Sequence, residues 1–144
     1  MTSFFKMEIS QILRDLPQGS RTIVFALRGP LGVGKTTFVR EFLSEIGYAS
    51  KHVQSPTFLK IVEYTGKKEL SVHMDCFQMG EDPDWTRYSL PVYEDARYWF
   101  VEWPEKFLEF MNSQDELRVV LGFKNYWDLD FQFIDSGKRL LKWR

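Results

Sequence analysis

The chain has 144 residues, of which 44% are apolar and 17% aromatic, with 19 basic and 20 acidic side chains. That length fits one domain, 1–144, and that composition supplies a core and excludes a disordered chain. A formal charge of −1 excludes a global positive field, so any RNA contact must be local or borrowed from a partner.

In chain order, Phe5, Ile9, Ile12, Leu13 and Leu16 recur at helical spacing, and Pro17 with Gly19 ends that helix. Lys6, Glu8, Arg14 and Asp15 are scattered through the same segment, which therefore lacks the apolar run of a signal peptide or membrane span. With Cys76 as the only cysteine, no internal disulfide forms, and a soluble, cytoplasmic protein is expected. Thr22 to Leu27 reads as a buried strand. A glycine-rich turn follows, then a helix from about Lys35 to Ile46, with Phe38, Val39, Phe42, Leu43 and Ile46 as its stripe.

Phe58 to Tyr64 and Leu70 to Met74 read as a hairpin across Thr65 to Lys68. Asp82-Pro83 opens a short, irregular helical stretch. Tyr98 to Trp103 is a buried strand stopped by Pro104, and a helix is expected over Glu105 to Met111. Leu117 to Phe123, Phe131 to Ile134 and Lys138 to Trp143 are expected as closing strands, the last two joined at Ser136-Gly137. The order predicts an α/β three-layer sandwich. Its sheet is parallel at the centre with antiparallel strands at the edges.

Residues 29–36 complete the pattern G-x-x-x-x-G-K-[ST]: Gly29, Gly32, Val33, Gly34, Lys35 and Thr36. Such a loop turns its backbone N–H groups toward a polyphosphate, and the following helix presents its positive end to the same anion. Lys35 adds a full charge near the terminal phosphates, and the Thr36 hydroxyl suits a magnesium shell. Thr37 continues the segment. The strand before the loop and the striped helix after it supply the required context.

A P-loop nucleotidase also needs an acid at a neighbouring strand end. Glu102 ends Trp99-Phe100-Val101 and Asp75 ends the run from Leu70 to Met74; either can serve the metal or the attacking water, and the residues alone do not divide the roles. Ser55, Pro56, Thr57 and Phe58 offer hydroxyls around a proline in a loop leading back to the sheet. They suit either a γ-phosphate sensor or a plain turn. His73 reads as a packed or hydrogen-bonded strand residue, and the basic tail 137–144 as a solvated edge strand.

Together, G-P-L-G-V-G-K-T-T (29–37), S-P-T-F (55–58), H-M-D-C-F (73–77) and V-E-W-P-E (101–105) resemble the TsaE (YjeE) family. Those are small bacterial ATPases of tRNA threonylcarbamoyladenosine synthesis. The resemblance implies ATP and Mg2+, with Thr36 and Glu102 as metal ligands and Lys35 with the loop amides on the triphosphate. It implies a catalytic place for Asp75 near the attacking water or metal, a switch over Ser55 to Phe58, and Trp103 beside the nucleotide. The implied partners are TsaD and TsaB, with tRNA reached through that complex, whose turnover ATP hydrolysis supports. The chain departs from the family pattern at Phe77-Gln78, where Tyr-Arg is common, and no arginine stands between Phe123 and Asp135. A small-molecule kinase finds little room here for a lid and acceptor site. A GTPase lacks an N-K-x-D segment, and a non-hydrolysing ATP-binding adapter is at odds with retention of Lys35, Thr36, Asp75 and Glu102.

Overall fold

The computed structural model describes residues 4–16, 22–48, 61–66, 69–77, 80–81, 83–88, 90–121, 126–134 and 139–144. Helix α1 (Lys6–Asp15) buries Ile9 and Ile12 on one face and stops at Leu16, whose extended backbone (ψ 135°) suits a residue that precedes proline. Strand β1 (Ile23–Arg28) is buried along nearly its whole length, as expected of a strand covered on both faces. Helix α2 (Lys35–Glu45) follows, then the antiparallel pair β2 (Ile61–Thr65) and β3 (Leu70–Asp75). Two 3-10 turns, Trp85–Tyr88 and Leu90–Tyr93, lead into β4 (Ala96–Glu102). Helices α3 (Glu105–Asn112) and α4 (Asp115–Leu121) precede β5 (Tyr126–Phe133) and β6 (Arg139–Trp143).

The sheet order is β2-β3-β4-β1-β5-β6. Strands β3, β4, β1 and β5 run parallel, while β2 and β6 close the edges antiparallel. This is the α/β sandwich expected from the sequence. Alternation along the strands divides the core into two layers. Phe25, Leu27, Phe100 and Phe131 face Phe5, Ile9 and Ile12 from the α1 side, and Phe38, Val39, Phe42 and Leu43 from α2. Val24, Ala26, Val72, Met74, Trp99 and Val101 face Phe107, Leu108 and Met111 of α3. Phe25 lies at the centre of the first layer, its ring 5.2 Å from Phe42 and 5.4 Å from Phe100. Among the described residues no helix is long and apolar enough to cross a membrane.

One element differs from expectation. Residues 115–121 form a helix where Leu117 to Phe123 reads as a strand; 122 and 123 lie outside the described residues. A short apolar run does not distinguish the two by periodicity. Here Asp115 and Glu116 occupy the first turn, where the helix dipole favours acids, and Asp115 pairs with Arg118 one turn on. Val119, which a buried strand would hide, is 80% exposed. Strand β5 begins at Tyr126, earlier than the expected Phe131, and takes the place beside β1 that a strand at 117–123 would have needed. Of the expected strand from Phe58, the described part begins at Ile61. Asp82 lies outside the described residues, and the short, irregular helical stretch expected after it is a pair of 3-10 turns.

Truncating the central ring, Phe25→Ala, is expected to cost about 3–5 kcal/mol of unfolding free energy. Urea titration followed by tryptophan fluorescence measures it; a loss below 1 kcal/mol would show that the aromatic layer is loosely packed.

Candidate functional site

The turn between β1 and α2 is built by glycine. Gly29 has φ 144°, and a Cβ there would stand 2.6 Å from the Phe131 carbonyl oxygen of β5. Gly34, at φ 113°, is the N-cap of α2, and a Cβ there would meet the Phe5 ring at 3.1 Å and Arg139 at 3.3 Å. A side chain at either position would strain the backbone, and at Gly29 it would also collide with the β5 backbone. No side chain caps α2, which leaves its first-turn amides for an anion. Just before the loop, Arg28 pairs with Asp128 of β5 at 2.6 Å and Glu105 of α3 at 2.9 Å, tying the end of β1 to its neighbours.

Beyond the loop is a cavity of about 280 Å³. Gly32, Gly34, Lys35, Thr36, Thr37, Asp75, Glu102 and Trp103 line it, so most of the residues singled out in the sequence converge on one place. Gly29 and Val33 do not line it: Val33 is fully buried and its N–H donates to the Pro30 carbonyl at 3.3 Å. Ser55, Pro56, Thr57 and Phe58 lie outside the described residues.

Sheet register explains the convergence. Asp75 of β3 pairs with Glu102 of β4, and Glu102 with Leu27 of β1, so three strands end in line beside the loop. Open parallel sheets gather ligands at that edge. Both acids are buried, at 3% and 4% exposure. Asp75 Oδ1 accepts the Phe77 N–H at 2.8 Å, and Glu102 Oε2 accepts from Thr36 Oγ1 at 3.3 Å and from His73 Nε2 at 2.5 Å.

Lys35 is buried too, at 4% exposure, and forms no salt bridge among the described residues. Its Nζ donates to the Gly29 carbonyl at 2.5 Å and lies 3.8 Å from the centre of the Trp103 ring. Burial pushes this ammonium below the ordinary lysine value; the fields of Glu102, Asp75 and Glu105 pull the other way. Trp103 itself holds φ 54°, a left-handed conformation rare for a bulky residue. Its ring also packs on Phe77 at 4.8 Å.

The donor set suits magnesium. A hydroxyl and a carboxylate beside an anion-binding loop are what magnesium uses when phosphates and water complete its shell.

Two residues of this site escape sequence reading. His73 is legible as a hydrogen-bonded strand residue, but its partner, Glu102, is not. The available signal is that His73 stands two residues before Asp75 and thus on the same strand face. Arg139 lines the cavity from β6 and lies over Phe4, its guanidinium carbon 5.1 Å from the ring centre. In sequence it is one of several basic residues on an edge strand, and only the β5–β6 register brings it to the loop.

The family described as "Threonylcarbamoyl adenosine biosynthesis protein TsaE" matches residues 5–127. Curated relatives carry the name tRNA threonylcarbamoyladenosine biosynthesis protein TsaE. That of Bacillus subtilis is 34% identical over 117 residues, 81% of this chain and 72% of the relative. That of Aquifex aeolicus is 37% identical over 100 residues, 69% and 66% of the two chains. That of Haemophilus influenzae is 29% identical over 103 residues, 71% and 64%. The match thus spans slightly less than two thirds of the last two relatives. A crystal structure of Bacillus subtilis YdiB has the same fold, with a TM-score of 0.62 at 19% identity, covering 99% of this chain and 80% of that one. With the family pattern running through most of its length, and a relative above 30% identity across four fifths of it, this chain belongs to the TsaE family.

Proposed function

We propose that the chain binds magnesium–ATP in the P-loop cavity and hydrolyses it, serving tRNA threonylcarbamoyladenosine modification in the cytoplasm. In this reading its nucleotide state regulates a complex of TsaD and TsaB, through which tRNA is reached. The observation that carries the reading is the buried ammonium of Lys35, held beneath uncapped helix amides and facing two buried acids at adjacent strand ends. A buried cation with no salt-bridge partner among the described residues is costly on its own, and an anionic tail on that side would offset the cost.

Gly32 and Gly34 let the loop backbone approach the phosphates, and Lys35 neutralises charge that builds on them. Thr36 and Glu102 would hold magnesium, which supplies electrostatic stabilisation of the phosphoryl oxygens. Asp75, adjacent to Glu102 and 3% exposed, orients a water for attack. Trp103 covers one wall, with Phe77 packed on its ring, and keeps bulk water from Lys35. Hydrolysis by the isolated chain is slow, because rate factors of about 10³–10⁵ come from an arginine finger where one is supplied. A docked partner completes the site.

Lys35→Ala is expected to weaken nucleotide binding roughly ten- to a hundred-fold, the loss of about 1.5–3 kcal/mol carried by a charged hydrogen bond, and to abolish phosphate release. Unchanged turnover would overturn the site. Glu102→Gln should remove the magnesium dependence of binding while thermal unfolding stays cooperative. Phosphate release without any acceptor separates an ATPase from a kinase, and capture of TsaD and TsaB homologues only with ATP present supports the regulatory role.

Binding should also take up protons. Burial holds Lys35 below the ordinary value of 10.5, and a polyphosphate would raise it again, so between the free and the bound value association adds a proton and affinity falls as pH rises. Calorimetry in buffers of different ionisation enthalpy reads this uptake. It should vanish in Lys35→Ala, and its persistence there would assign it to another group.

A further inference from the structure

His73 lies mid-strand in β3 between Val72 and Met74, is fully buried, and has the Tyr64 ring 6.3 Å from its own. Its Nδ1 is buried and finds no hydrogen-bond partner among the described residues. An orphaned ring nitrogen is a cost that an apolar side chain of similar size would avoid, so packing alone does not account for histidine here. What the imidazole does have is Nε2 at 2.5 Å from Glu102 Oε2. The two residues are diagonal neighbours on one sheet face, since Asp75, two residues beyond His73, is the one that pairs with Glu102. The same oxygen accepts the Thr36 hydroxyl at 3.3 Å from the loop side. One carboxylate oxygen is thereby held from the sheet and from the P-loop at once.

We infer that His73 is a positioning residue: its Nε2–H fixes Glu102 so that the carboxylate stays aimed at Thr36 and is ready for the cation. The inference rests on the reading of this cavity as a magnesium–nucleotide site. A glutamate has several rotatable bonds, and ordering them at the moment of binding costs affinity; a fixed donor moves that ordering into folding, as outer partners of metal ligands generally do. With the carboxylate accepting, the ring proton sits on Nε2.

Two substitutions separate positioning from filling. His73→Phe keeps a ring of similar size without a donor, whereas His73→Gln carries an amide donor of comparable reach. Nucleotide affinity is measured by calorimetry in EDTA and across a magnesium titration. In His73→Phe the affinity in EDTA should stay unchanged while the magnesium needed for half-saturation rises about 10–100-fold; His73→Gln should recover most of that loss. Equal losses in both variants, or none in His73→Phe, would overturn the role. Should either variant fail to fold, nitrogen NMR of the imidazole in the nucleotide-free protein decides. The proton should reside on Nε2 and its signal should move in Glu102→Gln, and an unmoved signal refutes the contact. Failure of the unsubstituted chain to bind magnesium–ATP would instead overturn the reading of the cavity and leave the NMR result standing.

Discussion

The site depends on one electrostatic arrangement: an ammonium and two carboxylates, all buried, that do not pair with one another. Lys35 donates to a backbone carbonyl and leans on an indole, Asp75 accepts a backbone N–H, and Glu102 is held by Thr36 and His73. Had Lys35 closed onto Glu102, the pair would have satisfied itself and left nothing for a ligand. The loop prevents this by giving Nζ the Gly29 carbonyl at 2.5 Å. That hydrogen bond to a neutral acceptor is weaker than a salt bridge, so in the proposed reading an arriving polyphosphate displaces it at modest cost.

Sheet topology is what makes the arrangement possible. The residues involved come from three segments far apart in sequence, and only a parallel sheet lets β3, β1 and β4 end at one edge while their connections run over the faces. The aromatic layer between the sheet and α2 then fixes the height of the helix. Phe25, Phe38, Phe42 and Phe100 interlock edge to face and stacked, so the N-terminus of α2 cannot drift away from the strand ends without opening that layer. Core packing and phosphate geometry are in this sense the same constraint.

This division also explains what the sequence makes legible. The P-loop is contiguous, and its glycines, lysine and threonine carry their chemistry in their spacing, so it can be read without the fold. Asp75 and Glu102 can be read as strand ends because the apolar runs before them mark where each strand stops. Contacts set by register are different: nothing local reveals that Glu102 faces His73, or that Arg139 reaches the loop from the edge. The segment 115–121 fails for another reason. Its apolar content suits either element, and the deciding features are an acidic first turn and the place beside β1 already taken by β5.

Trp103 joins these levels. A left-handed tryptophan is a strained choice, and it persists here because its neighbours over-determine it. Its N–H donates to the Leu27 carbonyl at 3.3 Å, extending the β1–β4 ladder past Glu102, while Pro104 next in line is the N-cap of α3. The chain must therefore leave the sheet within a residue or two of the acid, and the left-handed turn swings the indole back over Lys35. A relaxed backbone at that point would carry the ring away and expose the ammonium to water, where its pull on any anion is weaker. The strain stored at Trp103 thus keeps the dielectric low around the one charge on which the site turns.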